Sequence, residues 1–418
     1  MVSKRLRPGE DGARRRRPHT KSRRGCRNCK LRHVRCDESQ PQCQKCLEFG
    51  VVCNYNTSHG QDLQPKYPQP KSLDKPDKAH PEGFFGEVIF NVKPRPSPVF
   101  LRPATIIGSG QGSFQLDAES IGRLDRFYRR TVYTFAGNRN YEVYQNRVTS
   151  IAIENPFLMH VILTLTATHD RFLSMSKDNA KRSIAEAYHW SKGAGLLSQK
   201  LSAPIRPQDR DALWAAAAIL GLLSIANIEA STPWEAWPLK PAESSDLGWL
   251  NMSHGKKAIW KATDPMRPDS IFHAMKDDYL TLMTKPALCE IHDMPKELVD
   301  LCQLNRMADP TQSPYFPAVS LLTRLWHLKC TQPTMTRYMQ FMCFMGPAFK
   351  ALLHGKDPRA LLILAYWYGP MCESLWWMAK RARLECQAIC LYLELHHPDE
   401  KDIQVLLARP KEQCGLLT

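Results

Sequence analysis

Six cysteines in the first 53 residues constrain this chain more than any other feature of its sequence. They form two identical C-x-x-C-x6-C blocks, and the second block repeats the first at a displacement of 17 positions. Such density and regularity are typical of a metal site rather than of a disulfide framework. Two separate tetrahedral zinc sites need eight thiolates, whereas six suffice when two of them are shared. We therefore predict a cluster of two Zn²⁺ ions whose ligands are Cys26, Cys29, Cys36, Cys43, Cys46 and Cys53.

A single zinc site with four cysteine ligands is the alternative interpretation of the same count. It leaves two thiols without a role and does not explain why the two blocks have the same spacing. The two-zinc cluster accounts for both observations, because each block then supplies two terminal ligands and one shared ligand.

The stretch from Cys26 to Cys53 resembles the binuclear zinc-cluster DNA-binding domain of fungal transcription factors. The resemblance rests on the basic residues between the second and third cysteines, on Asp37 and on Pro41, and it covers 28 of 418 residues. It implies that Cys26 and Cys43 are the bridging thiolates. It also implies that the terminal ligands are Cys29, Cys36, Cys46 and Cys53.

The distribution of charge independently indicates a nucleic-acid partner. Residues 1–60 contain 15 Lys and Arg against 5 Asp and Glu, which places ten of the chain's sixteen net positive charges next to the cysteines. Concentrated positive charge beside a rigid module is typical of phosphate binding. Because six thiolates and two zinc ions together carry a charge of about −2, the arginines must also outweigh the cluster's own negative charge.

The two blocks differ in chemistry although their spacing is the same. KLRHVR lies between Cys29 and Cys36, whereas the apolar and acidic LEFGVV lies between Cys46 and Cys53. We expect a short helix just after each C-x-x-C turn, with the first helix in the major groove of double-stranded DNA. The predicted DNA-binding residues are Arg23, Arg24, Arg27, Lys30, Arg32, His33 and Arg35.

The resemblance implies that Arg32 and His33 read base edges, commonly those of a CGG triplet. Most relatives have Lys or Arg where this chain has His33, which is largely uncharged near neutral pH and offers one donor and one acceptor. The alternative interpretation is that His33 is a solvent-exposed helix residue that reads no base. The basic run of Arg14, Arg15, Arg16 and Arg17 predicts nuclear import and phosphate contact, against the alternative of a merely soluble tail.

Residues 54–115 are predicted to be a disordered linker. Nine prolines between Pro65 and Pro103 exclude a continuous helix, and GSGQGS (108–113) reads as a flexible joint. EVIFNV (87–92) is a candidate strand that docks on the following domain. No heptad pattern occurs here, so we expect that the protein either binds one half-site or forms a homodimer through its C-terminal region.

The rest of the chain is predicted to be an all-α regulatory domain at 116–410, followed by a tail at 411–418. The full organisation is then a basic arm (1–25), the zinc module (26–53), the linker (54–115) and this helical domain. Asn155 and Pro156 predict a helix start. The uncharged run 212–228 is slightly short for a membrane span and contains Ser224 and Asn227, so we predict a buried central helix.

Two segments of this region, 246–260 and 357–380, resemble the regulatory domain of sterol-uptake-type fungal regulators. That resemblance implies an apolar pocket for a small ligand that represses the factor. It does not identify which residues of this chain would contact the ligand. Met335, Met339, Met342 and Met345 form a helical stripe that favours core packing, with a pocket as the alternative. The remaining cysteines, Cys289, Cys302, Cys330, Cys343, Cys372, Cys386, Cys390 and Cys414, lack paired spacing, so we expect reduced, buried thiols.

No G-x-S-x-G, H-E-x-x-H or P-loop motif occurs in the sequence, so we do not expect an enzyme. The sequence predicts a nuclear, sequence-specific regulator of RNA polymerase II genes in a fungus. The resemblance implies sterol or secondary-metabolite genes. The rival from another class is a zinc-stabilised interaction or RNA-binding protein that has no sequence preference on DNA.

Overall fold

The computed structural model divides the chain into two compact units, Met1–Glu82 and Gly83–Thr418. The first unit is described at 24–31, 34–40, 43–49, 51 and 53–55. The second unit is described at 104–108, 112–136, 140–174, 182–285, 291, 293–305 and 309–417. The predicted strand at 87–92 lies outside these residues.

The first unit contains two short helices, one in each cysteine block. Helix α1 spans Arg27–Leu31 and helix α2 spans Gln44–Phe49. Each begins directly after the first cysteine of its block and includes the second cysteine, about one turn earlier than the sequence suggested. The backbone N–H of Arg27 donates to the carbonyl of Asn54 at 2.7 Å, which joins the two ends of the described segment.

The described part of the second unit is almost entirely helical, as predicted. One antiparallel strand pair precedes the helices, β1 at Ile106–Ile107 and β2 at Phe114–Gln115. The helices are α3 (Ala118–Arg126), α4 (Val132–Phe135), α5 (Thr149–Ala152), α6 (Pro156–Leu173), α7 (Ile184–Leu201), α8 (Arg210–Ala226), α9 (Gly248–Thr263), α10 (Lys276–Met283), α11 (Lys296–Leu301), α12 (Phe316–Thr323), α13 (Met335–Phe344), α14 (Pro347–His354), α15 (Pro358–Tyr368), α16 (Trp376–His396), α17 (Lys401–Leu406) and α18 (Ala408–Cys414). Two π-helical segments, Phe127–Thr131 and Val143–Val148, run directly into α4 and α5.

Helices α6 and α8 form the centre of the second unit. α6 packs against α7 and α8, and α8 packs in turn against α9 and α16. The predicted buried helix is therefore confirmed as α8, and no helix among the described residues is long and apolar enough to cross a membrane. Pro156 starts α6 as predicted, but the Asn155 side chain does not cap it. Its amide instead donates to the Ile151 carbonyl at 2.7 Å.

The end of the predicted linker belongs to the second unit. Ile107 and Leu116 are fully buried in its core, and the N–H of Gly108 donates to the carbonyl of Ile153 at 2.8 Å. Gly108 has a φ of +75°, which L-residues rarely adopt, and an added Cβ there would lie 2.6 Å from Cδ of Pro156. Gly108 and Gly112 therefore dock both ends of the predicted joint on the second unit, against Pro156 and Leu196, whereas residues 109–111 lie outside the described residues.

The C-terminal boundary also differs from the predicted one. Helix α18 continues to Cys414, which is buried, so residues 411–414 are part of the packed unit rather than of a tail. The helix ends at Gly415, whose φ of 78° is the left-handed conformation common after helix C-termini. Helix α16 starts at Trp376, and a 3₁₀ turn at Gly369–Met371 separates it from α15.

The close packing of Gly108 on Pro156 makes a testable difference to stability. We expect Gly108→Ala to lower the free energy of unfolding of the second unit by roughly 1–3 kcal/mol, because it combines strained backbone with overlap on Pro156. Gly195→Ala is the matched control, since Gly195 is helical and nothing lies within 4 Å of an added Cβ. That control should be neutral or stabilising by about 0.5–1 kcal/mol. Chemical denaturation followed by circular dichroism measures both, and equal effects would contradict this close packing.

Candidate metal centre and nucleic-acid interface

The first two cysteines of each block meet in the centre of the first unit. The Sγ atoms of Cys26, Cys29, Cys43 and Cys46 all lie within 4.8 Å of one another, and all four residues are buried. Cys26 Sγ lies 3.8 Å from Cys43 Sγ and 3.4 Å from Cys46 Sγ. Cys29 Sγ lies 3.6 Å from Cys43 Sγ. Thiols from the two blocks thus interleave, as ligands of one shared cluster must.

The hydrogen bonds to sulfur repeat with the same displacement of 17 residues as the cysteines. In the first block, the N–H of Cys29 donates to Cys26 Sγ at 3.4 Å, and in the second the N–H of Cys46 donates to Cys43 Sγ at 3.3 Å. The N–H of Cys26 donates to Cys36 Sγ, and the N–H of Cys43 to Cys53 Sγ, both at 3.4 Å. The repeat in sequence is therefore a repeat in local structure.

The third cysteine of each block closes the ring of ligands. Cys36 Sγ accepts from the backbone N–H of Glu38 at 3.3 Å and lies 3.5 Å from the Tyr55 hydroxyl. Cys53 exchanges hydrogen bonds with both Cys26 and Cys43. All six predicted ligands are thus brought together, although the assignment of Cys26 and Cys43 as the bridging pair stays a prediction.

The donor set fits two zinc ions. Burial raises the pKa of Cys26 and of Cys43 to about 12, so these groups are protonated thiols at neutral pH unless a metal displaces the protons. Backbone N–H groups aimed at sulfur stabilise thiolates once they form. Six thiolates then neutralise the four positive charges of two zinc ions and supply four sulfur contacts to each when two sulfurs are shared.

Asp37 organises the loop between the two blocks. Its Oδ2 accepts from the Ser39 hydroxyl and, at 3.2 Å, from the backbone N–H of Gln44, the first residue of α2. The Ser39 hydroxyl and the Gln44 N–H lower the pKa of Asp37 to about 2, although its own desolvation opposes them. The carboxylate is therefore ionised under all ordinary conditions and holds the loop against the second helix.

The sequence analysis missed the structural role of Asn54 and Tyr55, the two residues that follow the last cysteine. The Tyr55 hydroxyl donates to the carbonyl of Ser39 at 2.9 Å while also touching Cys36, so it ties the C-terminal end of the segment to the loop between the blocks. Asn54 is buried and accepts from Arg27 through its carbonyl. The only sequence signal was an aromatic residue directly following the repeat.

The cations of the first block lie at the surface of the first unit. Arg24, Lys30 and Arg35 are exposed, and Arg27 is half-buried. The other predicted DNA contacts, Arg23, Arg32 and His33, and the basic run Arg14, Arg15, Arg16 and Arg17 lie outside the described residues. Of the predicted interface, the structure therefore describes Arg24, the two cations of α1 and Arg35.

The second unit contains a separate apolar cavity of about 190 Å³. Its walls come from α8, α9, α13 and α16 and include Trp249, Met339, Met342 and Trp377. Met335 and Met345 are buried outside the lining. Trp367 is not part of the lining and stacks on Phe341, with 5.1 Å between ring centroids. Within the methionine stripe, Met335 and Met345 therefore pack in the core, whereas Met339 and Met342 line the cavity.

The metal centre makes a direct prediction. Native mass spectrometry of the full chain should show two zinc ions per chain, and Cys46→Ser should reduce the zinc content because it removes one central ligand. Cys302→Ser is the matched control, since Cys302 is equally buried but lies in the second unit. A single zinc that survives Cys46→Ser would contradict the shared cluster.

Comparison with known proteins agrees with this geometry. Residues 24–62 match the fungal Zn(2)-Cys(6) binuclear cluster domain. A Zn(2)-C6 fungal-type transcription factor of Gibberella zeae is 23% identical across 91% of this chain and 83% of its own length. The sterol uptake control protein 2 of Saccharomyces cerevisiae is 49% identical over 41 residues, 10% of this chain and 4% of that protein.

The aflatoxin biosynthesis regulatory protein of Aspergillus flavus is 32% identical over 81 residues, 19% of this chain and 18% of that protein. These two matches are short, whereas the Gibberella zeae match covers 91% of the chain and therefore includes the helical unit. Together with the six converging thiols, these similarities support a DNA-binding regulator of transcription. Residues 24–62 are therefore a Zn(2)-Cys(6) domain, which binds two zinc ions, and the chain as a whole is similar to fungal zinc-cluster transcription factors.

Proposed function

We propose that this protein recognises CGG-type half-sites in double-stranded DNA and thereby regulates RNA polymerase II genes. The observation that supports this most is the unequal charge of two blocks with equal backbone geometry. Lys30 and Arg35 are exposed on the first block, whereas the corresponding stretch of the second block contains no basic residue. A module with one basic face can insert that face into the major groove while the other half supports it.

Base reading is assigned to Arg32 and His33, and phosphate contact to the surrounding cations. Arg binds guanine O6 and N7 through two hydrogen bonds, while a neutral His offers one donor and one acceptor. The arm with Arg14 to Arg17 adds attraction that does not depend on sequence, and it can serve as the nuclear-import signal. A nuclear location is also what fungal transcription factors of this family imply.

The genes under control are proposed to serve sterol or secondary-metabolite biosynthesis. Support comes from the names of relatives, which include the sterol uptake control proteins, an aflatoxin biosynthesis regulatory protein and an aspercryptin cluster-specific regulator. These relatives match over 10–19% of this chain, so the proposal rests on similarity over a small part of it.

The cavity of the second unit is proposed to bind a small apolar ligand that represses the factor. At about 190 Å³ it is smaller than typical ligand pockets of about 300–1,000 Å³, so it accepts part of a ligand or widens. Met339 and Met342 are flexible side chains suited to such adjustment. Lys256 lies at the lining, and burial lowers its pKa, which gives the ligand one polar partner in an otherwise apolar site. Homodimerisation through the same unit would set the spacing of paired half-sites.

The DNA proposal predicts that the two blocks respond differently to mutation. Arg32→Ala and His33→Ala should each weaken binding to the preferred site by roughly 1–3 kcal/mol and relax the preference at one base pair. Lys45→Ala, at an exposed lysine of the second block, is the matched control and should have little effect. Selection on random duplexes followed by fluorescence anisotropy on the selected site measures these changes.

The arm supplies the complementary control. Replacing Arg14, Arg15, Arg16 and Arg17 with Ala should weaken binding to all sequences alike and flatten the salt dependence by roughly 0.9 per lost phosphate contact. If selection instead returns no preferred sequence, or RNA competes equally at every salt concentration, the rival function as a non-specific zinc-stabilised binding protein is correct.

The ligand proposal predicts stabilisation by mass action. A sterol or polyketide at a hundredfold excess over its Kd should stabilise the helical unit by about 2.7 kcal/mol, seen as a raised Tm. Met339→Trp should fill the cavity and abolish the shift, whereas Met335→Leu, outside the lining, should preserve it. A helical unit whose Tm responds to none of these compounds at saturation would show that the cavity is a packing defect only.

A further inference from the structure

Three cysteines of the second unit meet in a buried group that the sequence spacing did not suggest. Cys386 and Cys390 lie one turn apart on α16, and Cys414 lies at the end of α18. Their sulfurs all lie within 4.8 Å of one another, and the three residues are at most 2% exposed. We call these three residues the trithiol cluster. Side chains from two helices are thus arranged as candidate ligands of one ion.

The surroundings of the trithiol cluster contain no compensating cation. Cys386 Sγ lies 3.6 Å from the carbonyl oxygen of Ala365 and 3.8 Å from that of Pro410, and Cys414 Sγ lies 3.6 Å from the carbonyl oxygen of Lys411. The Lys411 ammonium itself pairs with Glu394 at 2.5 Å. Cys386 also contacts the buried thiol of Cys372, which lies outside the group of three sulfurs. Within the described parts of the chain, no hydrogen bond or ion pair joins the three sulfurs to a lysine or arginine side chain.

The three thiols are not equivalent. Cys386 and Cys390 donate hydrogen bonds to the sulfur of Cys414 and lower its pKa, in spite of its burial. The pKa values of Cys386 and Cys390 are raised.

Charge balance decides which ion suits such a site. Three thiolates carry a charge of −3, and a buried group with net charge and no partner is strongly disfavoured. Copper(I) would leave −2 and zinc would leave −1. Zinc also requires a fourth ligand, and recruiting the thiolate of Cys372, which lies outside the group of three, would increase the negative charge to −2. A trivalent ion with three short bonds to sulfur leaves no net charge and needs no further ligand.

We propose that the trithiol cluster binds a trivalent thiophilic ion of the arsenite class as a neutral three-sulfur complex. With arsenous acid, three As–O bonds break and three As–S bonds form. The three thiol protons leave with the three hydroxyl groups as water, and no electrons are transferred. The bound ion would connect α16 to α18, and α16 also carries Trp377 in the cavity wall. This inference is independent of the proposed DNA specificity and of the proposed apolar ligand.

The test uses the full chain loaded with zinc and then treated with one equivalent of arsenite. We expect one arsenic per chain, three sulfur neighbours in the arsenic X-ray absorption spectrum, and two zinc ions retained. Cys414→Ser and Cys390→Ser should each abolish the three-sulfur signal. Cys302→Ser, a matched buried thiol outside the trithiol cluster, should leave it unchanged.

Several results would overturn the proposal. These are arsenic bound only as zinc is lost, an arsenic content unaffected by Cys414→Ser, or fewer than three sulfur neighbours in the wild-type protein. Displacement of arsenite by equimolar zinc or copper(I) would also refute the charge argument. The wild-type sulfur count decides the question even if the serine variants fail to fold.

Discussion

Zinc–sulfur coordination is the interaction on which the DNA-binding end of this protein depends. Among the described residues 24–55, the buried apolar side chains are five cysteines and Val51. So small an apolar core cannot offset the conformational entropy of the segment, and the metal must supply the folding free energy. The position of α1, and hence of every cation on it, follows from where Cys26 and Cys29 are held.

The shared cluster also explains why the two blocks have diverged in charge but not in backbone. Each block must present its thiols at the same places, which fixes the N–H donors to sulfur and the start of each helix. Between the second and third cysteines, the first block is basic, with Lys30 and Arg35 exposed, whereas the second is apolar and acidic, with Val51 buried. The two blocks thus combine one backbone pattern with different side chains.

The helical unit is stabilised in a different way, by a large core around α6 and α8. Its few buried charges are paired: Glu186 accepts from Arg171 at 2.9 Å, and Glu385 accepts from the Tyr368 hydroxyl at 2.5 Å. The strand pair of Ile106–Ile107 and Phe114–Gln115 adds Ile107 to this core, so the packed unit includes residues that precede the predicted boundary at 116.

Features set by local spacing could be predicted from the sequence, and features set by distant contacts could not. The zinc ligands and α8 follow from a repeat and from an uncharged run, both of which are visible in the sequence. Gly108 was misread because its φ and its contact with Pro156 depend on a neighbour 48 residues away. Cys414 joins Cys386 and Cys390 only because α18 folds back on α16, which no spacing of cysteines encodes. The zinc X-ray absorption spectrum of the full chain tests the central claim most directly. The shared cluster predicts four sulfur neighbours per zinc at about 2.3 Å together with a nearby zinc scatterer, whereas nitrogen or oxygen ligands without a zinc neighbour would contradict it.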